Sequence, residues 1–380
     1  MQEERKRILD MVENGTISAQ EALVLLEALG KQSAPVTTPV KKEQKQGYSS
    51  TEQSESQPYN KQQNSDFIED LKRDFTVVGE RFMQFLQGTV DKIKEFDFEM
   101  PFGEPVVFQE RLVEEQAQYD DISIDVANGK VEIFPTEESD THADVTVKSY
   151  KNTSQEEAKN RFHSDFLFKT EGNKLRIYSD MKTTSVQVAL YVPKKVYNDV
   201  SARLFNGDFS AKNIEANSFK VKTTNGKVKL EELQFGRADI ETVNGSVQVQ
   251  QVVGDSIEVE TINGRIYVDG KLKDVEGSSV SGHVILTTKD KEARKIEGTA
   301  VAGSVELYVR KDVSLKGEAS SQLGKIDVQL SDVTQLKQSE QLLNKKVGFT
   351  KIVESEDQPL RIYGDAKTGT VLVRYTLEDE

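Results

Sequence analysis

The 380-residue sequence predicts a mainly β protein built around a single-stranded β-solenoid, or β-helix, with rungs of about 19 residues. A helical hairpin, a disordered linker and a long amphipathic helix are expected to precede it. Three observations predict the solenoid. Glycines recur at near-constant spacing, the residues two and four positions after each glycine are apolar, and asparagine precedes four of the glycines. A propeller blade needs about 40 residues, so this short repeat favours a solenoid over a propeller or a sandwich of hairpins.

Composition excludes several classes of function. The chain has 64 acidic and 50 basic residues and a net charge of −14, which argues against nucleic acid as a partner. It has no cysteine, so disulfides, thiolate nucleophiles and Cys-ligated zinc are excluded. Its three histidines are far apart in sequence, and no cofactor or metal is expected. The start is charged and the longest apolar run, 22–29, is far too short to span a bilayer; the sequence by itself therefore predicts a cytoplasmic protein.

Residues 1–30 predict a helical hairpin. Asn14-Gly15 is a turn pair, and Ser18 with Glu21 has the pattern of a capping box that starts the second helix. Thirty residues cannot bury a sufficient core alone. The hairpin is therefore expected to self-associate or to dock on a partner protein, and a small helical cap is the alternative.

Residues 31–65 predict a disordered linker, because they are rich in Gln and Ser and nearly lack apolar residues. Residues 66–100 predict an amphipathic helix over 66–97, with apolar residues every three to four positions, four of them phenylalanines. The polar face of this helix is net acidic, whereas a helix lying on anionic lipid is usually rich in Lys and Arg. Packing against the next domain or self-association is therefore favoured over membrane contact.

Residues 104–380 contain the repeat and are assigned to the solenoid domain. The repeat glycines are Gly207, Gly226, Gly245, Gly264, Gly282, Gly303 and Gly324, spaced by 19, 19, 19, 18, 21 and 21 residues. The pairs Asn206-Gly207, Asn225-Gly226, Asn244-Gly245 and Asn263-Gly264 predict tight corners in which glycine supplies a positive φ. Residues two and four positions after each glycine alternate with polar ones, so they are expected to form aliphatic columns inside the stack.

The two ends of this domain are irregular and are interpreted as caps that cover the open ends of the stack. A short helix beginning at Ser154 is expected near the first end, with Glu157 in the capping-box position. Near the second end, residues 333–345 predict another helix, followed by strands at 360–363 and 369–375.

The outward positions six and four residues before the glycines carry a set of carboxylates that stacking would bring together. This acidic strip consists of Asp239, Glu241, Glu258, Glu260 and Glu276. Like charges on neighbouring strands are unfavourable unless something neutralises them. We hypothesise that the strip binds cationic peptides or Ca²⁺; the alternative is an ordinary solvated acidic face with Lys220 and Lys222 as partners.

Two stretches of the chain resemble a known family. The segment EERKRILDMVENGTISAQEALVLLEAL and the Asn-Gly repeats preceded by SVQVALYVPKKV are similar to the YvlB/LiaX-type proteins of Gram-positive bacteria, which contain a "putative adhesin" domain. The resemblance implies a non-enzymatic role in the envelope-stress response, as in relatives described as daptomycin-sensing surface proteins. It also implies membrane-protein partners and exposure at the cell surface, and it brings no catalytic residues.

An enzymatic function is the alternative from a different class. Parallel β-helices host polysaccharide lyases and hydrolases, which use clustered carboxylates together with Arg or Lys. Fold analogy alone is a weak argument for such an activity. The repeat carries small and charged residues on its outer face rather than an aromatic-lined cleft, so the sequence favours a binding protein.

Overall fold

The computed structural model describes residues 104–116, 118–150, 154–341, 344–353 and 358–376. These residues form one sheet of 22 strands and one helix, α1 (Gln155–Asp165). The hairpin, linker and amphipathic helix predicted for 1–100 lie outside them. Among the described residues, no helix has the length and apolar character needed to cross a membrane.

The strands fall into three groups along the chain. The first group is β1 (Val106–Glu114), β2 (Asp121–Thr136), β3 (Thr141–Ser149), β4 (Phe166–Glu171), β5 (Lys174–Ser179) and β6 (Thr184–Pro193). The central group is β7 (Val196–Asn206), β8 (Phe209–Lys212), β9 (Glu215–Asn225), β10 (Val228–Glu231), β11 (Gln234–Asn244), β12 (Val247–Asn263), β13 (Ile266–Ser281), β14 (Val284–Thr288), β15 (Lys295–Ala302) and β16 (Val305–Val309). The last group is β17 (Leu315–Ser321), β18 (Ile326–Gln329), β19 (Thr334–Gln341), β20 (Asn344–Lys351), β21 (Leu360–Ala366) and β22 (Val371–Tyr375).

The central strands stack in parallel as two ladders. Residues before each corner glycine form the long-strand ladder, in which β7, β9, β11 and the second halves of β12 and β13 are neighbours. Residues after the glycine form the short-strand ladder, which includes β8, β10, β14 and the first halves of β12 and β13. Each repeat forms one step of the stack, and corresponding residues of successive repeats pair with each other. Asn206 therefore faces Asn225, and Asn225 faces Asn244.

The core lies between the ladders and is built from the aliphatic columns. Val228, Val247, Ile266, Val284 and Val305 each have 1% or less of their surface exposed. Each such side chain contributes about 1.5–3 kcal/mol when it is fully buried. Because aliphatic residues recur at the same position in successive steps, these columns form one continuous buried cluster along the stack.

The corner glycines are required by close approach of the backbone. A Cβ atom on Gly226 or Gly245 would overlap the carbonyl oxygen of the glycine one step earlier. None of the four Asn-Gly glycines lies in the left-handed region, so the expected reason, a positive φ, is wrong for them. In three steps a left-handed residue lies at the second corner, between the short strand and the next long strand: Asn213, Glu232 and Gln251, with φ of 54–55°.

The predicted fold class is wrong. The domain is mainly β, but each step contributes strands to two ladders, and the solenoid-like parallel sheet does not follow the chain from end to end. Strand β2 lies between β5/β6 and β7/β8 in the stack. In sequence it precedes all four strands and is separated from β5 by β3, α1 and β4. Strands β21 and β22 lie between β15/β16 and β17/β18. Gly369 therefore stands between Gly303 and Gly324 in the stack.

Antiparallel strands and one helix complete the two ends of the sheet. At the first end, β6, β3 and β1 pair antiparallel, as do β4 and β5. The helix predicted at Ser154 is confirmed as α1, whose Glu157 backbone N–H donates to Oγ of Ser154 at 3.2 Å. At the other end, the helix predicted over 333–345 is wrong, because these residues belong to the antiparallel pair β19 and β20, which continues onto β17.

Candidate functional site

The acidic strip lies on the outer face of the long-strand ladder, across β11, β12 and β13. In register, Asp239 faces Glu258, and Glu258 faces Glu276. Glu241 faces Glu260 in the adjoining row. Neighbouring strands are about 4.8 Å apart, so the structure brings all five carboxylates into two short, adjacent rows.

Cations at the edges of the strip pair with three of these carboxylates. Nζ of Lys222 lies 2.6 Å from Oε1 of Glu241. A guanidinium nitrogen of Arg237 lies 3.3 Å from Oε2 of Glu258, and Nζ of Lys295 lies 3.1 Å from Oε1 of Glu276. Part of the strip therefore has the ordinary ion pairing of a charged surface, which is the alternative that the sequence left open.

Glu241 is different from the other members because it is buried. Its side chain is 4% exposed, and its Oε2 atom has no hydrogen-bond partner while Oε1 pairs with Lys222. Burial raises the pKa of this carboxyl, and the ammonium of Lys222 opposes the rise. A buried carboxylate oxygen without a partner costs free energy unless it meets a proton or a cation.

Glu260 is half-buried beside Glu241 and shares its environment. Burial raises the pKa of Glu260 to about 8, and nearby charges of the same sign add to the rise. The contributing carboxylates are Glu258, Glu241 and Asp239. A carboxyl group with this pKa is largely protonated at neutral pH, so the strip carries less negative charge than its five residues suggest.

An apolar column that sequence reasoning missed borders the strip. Val243, Ile262, Val280 and Val301 stand two positions before successive glycines and alternate with the buried threonines and serine that face inward. Val243 is buried at 6% exposure, whereas the other three are half-buried. The signal was present in the sequence, because alternation places this position on the outer face together with the carboxylates.

The carboxylates do not form a metal centre. Within the described ranges, no three side chains of His, Asp or Glu converge on a point that could hold a metal ion. Ca²⁺ takes six to eight oxygen ligands. The arrangement instead offers separate carboxylates beside an apolar surface, which suits an organic molecule that has a cationic group next to an apolar part.

The corner residues singled out in the sequence form a second ordered feature. Asn206, Asn225, Asn244 and Asn263 stack at one edge of the long-strand ladder, with Gly207, Gly226, Gly245 and Gly264 directly after them. Side-chain hydrogen bonds of 2.7–2.9 Å join each asparagine to the next. These bonds join the side chains to one another, so the role that the structure shows for the row is to stabilise the corner.

The fold and the outer face together define a repetitive β protein with an ordered, charged outer surface. A family model described as Toastrack DUF4097 matches residues 119–352, and a model of a SHOCT-like domain matches residues 3–34. The chain belongs to the Toastrack DUF4097 family.

Similar proteins have been found in several bacteria. The chain is 34% identical over 376 residues to "Uncharacterized protein YvlB" of Bacillus subtilis strain 168, covering 99% of this chain and 100% of that protein. The resemblance to YvlB-type proteins is therefore confirmed. A "putative adhesin" from Bacteroides fragilis has a similar structure, with a TM-score of 0.40, 11% identity and coverage of 71% of this chain and 97% of that one.

A further solved structure has a different description. A "putative lipid binding protein" from Parabacteroides distasonis matches with a TM-score of 0.36 and 12% identity, covering 71% of this chain and 97% of that one. The names of these proteins refer to adhesion or binding, or assign no activity.

Proposed function

We propose that this protein is a non-enzymatic binding protein of the bacterial cell-envelope stress response, and that the outer face of its long-strand ladder binds a cationic amphipathic peptide. The observation that carries the proposal is the adjacency of the acidic strip and the apolar column. An amphipathic peptide presents a basic face and an apolar face side by side, which is the complementary arrangement.

The exposed part of this surface supplies the electrostatic attraction. The side chains of Glu258 and Glu276 are 33% and 43% exposed, and both belong to the row of the strip that lies farther from the apolar column. Their ion pairs with Arg237 and Lys295 are partly solvated and therefore weak. A peptide with several lysines can form many ion pairs with this surface, and such electrostatic steering increases the rate of association most strongly at low salt.

The apolar column supplies the second half of the recognition. Ile262, Val280 and Val301 are half-buried and lie on successive steps of the stack. Burying apolar surface contributes about 25 cal/mol per Å². A basic peptide without apolar residues would gain only the electrostatic part, so the surface is expected to prefer amphipathic peptides over merely basic ones.

The test measures binding of three synthetic peptides of about 14 residues: Leu/Lys, Leu/Glu, and Gly/Lys in the same pattern. The Leu/Lys peptide is expected to bind most tightly, and the double variant E258Q/E276Q is expected to weaken its binding about tenfold. The matched control E231Q/D269N removes two ion-paired carboxylates from the short-strand ladder, where they pair with Lys229 and Lys289. Equal losses in the two double variants, or no binding, would overturn the proposal.

The N-terminal residues are proposed to carry the connection to partners in the membrane. This part of the proposal rests on the SHOCT-like match at residues 3–34 and on the resemblance to envelope-stress proteins. Deletion of residues 1–30 is expected to remove membrane-protein partners from a pull-down while the peptide affinity stays unchanged. Cleavage of the protein by protease added to intact cells would test exposure at the cell surface.

A further inference from the structure

Glu241 and Glu260 form the inner row of the acidic strip, which is the row next to the apolar column. Asp239, Glu258 and Glu276 form the outer row on its other side. The two residues face each other on β11 and β12. Oε2 of Glu241 is buried and has no hydrogen-bond partner, although Oε1 of the same group is paired at 2.6 Å. One carboxylate oxygen at the base of the strip is therefore buried without a donor, next to the position of Glu260.

The charges around Glu260 come from all strands packed against it. The negative groups are Asp239 and Glu241 on β11, Glu258 on its own strand and Glu276 on β13. The positive groups are Lys220 and Lys222 on β9, Arg237 on β11, which pairs with Glu258, and Lys295 on β15, which pairs with Glu276. The residue that faces Glu260 on β13 is Ser278, which carries no charge. Negative charge exceeds positive charge at this point, so an added positive charge is favoured there.

We infer that Glu241 and Glu260 form a pocket for a single ammonium or guanidinium group of the bound partner, and that this group enters in exchange for a proton held by Glu260. The inference rests on the proposed function and specifies its chemistry. The only bond that breaks is the O–H bond of Glu260: its proton goes to solvent and the electron pair stays on the carboxylate. The cation then donates hydrogen bonds to Oε2 of Glu241 and to the Glu260 carboxylate.

The exchange follows from the cost of burying charge. A proton neutralises Glu260 when the pocket is empty, because burial disfavours the charged form and the neighbouring carboxylates repel it. A guanidinium or ammonium group neutralises the ionised Glu260, while Glu241 keeps its ion pair with Lys222. The same group donates charge-assisted hydrogen bonds to Glu260 and to Oε2 of Glu241, which otherwise has no hydrogen-bond partner. Binding and deprotonation are therefore linked, and the ligand binds more tightly at higher pH.

The size of the linkage follows from the ionised fraction of Glu260. Only the ionised form is competent to bind, so the apparent dissociation constant increases as the ionised fraction decreases. With the pKa of Glu260 at about 8, affinity is expected to increase about 25-fold between about pH 6.5 and about pH 8.5. At pH 7, about 0.9 proton should be released for each ligand bound.

The experiment uses the full chain and two probes, the Leu/Lys peptide and butylguanidinium. The cationic groups of both probes keep their charge between about pH 6.5 and about pH 8.5. Calorimetry in buffers of different ionisation enthalpy gives both the affinity and the number of protons released. The variant E260Q imitates the neutral acid in shape, so it is expected not to bind butylguanidinium. It is expected to bind the peptide only weakly, through the rest of the surface, without pH dependence and without proton release. The control E276Q removes a carboxylate of the strip outside the pocket, and it should lower the affinity while the pH dependence remains.

The outcomes separate this inference from the proposed function. A pH-dependent wild type with a pH-independent E260Q supports the inference. If wild type binds the peptide with the same affinity at all pH values, or if E260Q keeps the pH dependence, the inference is overturned while the proposed function stands. If neither probe binds between about pH 6.5 and about pH 8.5, both are overturned.

Discussion

The side-chain amide of Asn244 donates a hydrogen bond to Oδ1 of Asn225 at 2.9 Å. Its own Oδ1 accepts one at 2.9 Å from Nδ2 of Asn263. Each asparagine of the row thus fixes the position of the next, 19 residues further along the chain. A shift of one strand by a single residue would break this row and would also turn the core side chains to the opposite face.

The first prediction concerns Asn244, which lies inside the row. The variant N244A removes one donor and one acceptor, each with a net contribution of about 0.5–1.5 kcal/mol, so the free energy of unfolding is expected to decrease by about 1–3 kcal/mol. The matched variant N263A removes only the bond to Asn244. Urea unfolding should therefore show about half the loss for N263A, and equal losses would mean that the row does not act through these bonds.

The second prediction concerns Gly245 at the corner. A methyl group there would overlap the carbonyl oxygen of Gly226, which is backbone and cannot move aside without shifting a whole step of the stack. G245A is therefore expected to prevent folding or to lower the unfolding midpoint severely.

The control for this variant is Gly172 in the turn between β4 and β5. It has a φ of 60° and open space around the Cβ position, so G172A should cost only about 1 kcal/mol for the left-handed backbone. Circular dichroism during urea unfolding compares the two. A small effect of G245A would show that the backbone spacing at the corner is not the reason for glycine.

The sequence predicted the repeating part of the stack and failed at its ends for a physical reason. Side chains such as Val228 and Val247 fix the periodicity locally, because alternation and spacing are properties of neighbouring residues. The order of stacking is set by pairing between distant segments. The corners at Gly129 and Gly369 have the same pattern as the others. Their local sequence therefore does not indicate that β2 and β21/β22 stack out of chain order.

The candidate site was predicted in part. Register alone placed Asp239, Glu258 and Glu276 in one row, and the structure has this row. The burial of Glu241 was not predictable, because alternation assigns a side chain to a face but not the depth at which it lies on that face. The second corners were missed because Asn213 and Glu232 adopt a positive φ without the glycine that would have marked them.

The third prediction concerns the inserted strands β21 and β22. Deletion of residues 358–380 removes the buried side chains of Leu360, Ile362, Val371 and Val373 from between two steps of the stack and separates β15/β16 from β17/β18. Each of these side chains contributes about 1.5–3 kcal/mol, and a domain has about 5–15 kcal/mol in total, so the truncated protein is expected not to fold.

The control for the truncation is deletion of residues 377–380, which leaves both strands complete. Its urea unfolding should resemble that of wild type. If the deletion of 358–380 instead left a cooperative transition with a small shift of midpoint, the C-terminal segment would be a dispensable last step rather than an inserted one.

The fourth prediction concerns the pH dependence of stability. The ordinary pKa of a glutamate, 4.5, applies to Glu260 in the unfolded chain, and the pKa is about 8 in the folded protein. Between these values the folded state holds more protons than the unfolded state, so the free energy of unfolding decreases as pH rises, by at most about 1.4 kcal/mol per pH unit for one group. This contribution is complete below about pH 4.5 and is lost as pH rises through about 8.

The variant E260Q isolates this contribution from the other titrating groups. Carboxyls such as Asp144 and Asp312, whose pKa values are lowered by arginine, oppose the trend at acidic pH, but they are the same in both proteins. The stability of E260Q relative to wild type is therefore expected to increase steadily from about pH 5 to about pH 8 in urea unfolding at low salt, and E276Q should show no such change. A difference between E260Q and wild type that is constant across this range would mean that Glu260 is ionised throughout, because a group that does not change its protonation on unfolding cannot make stability depend on pH.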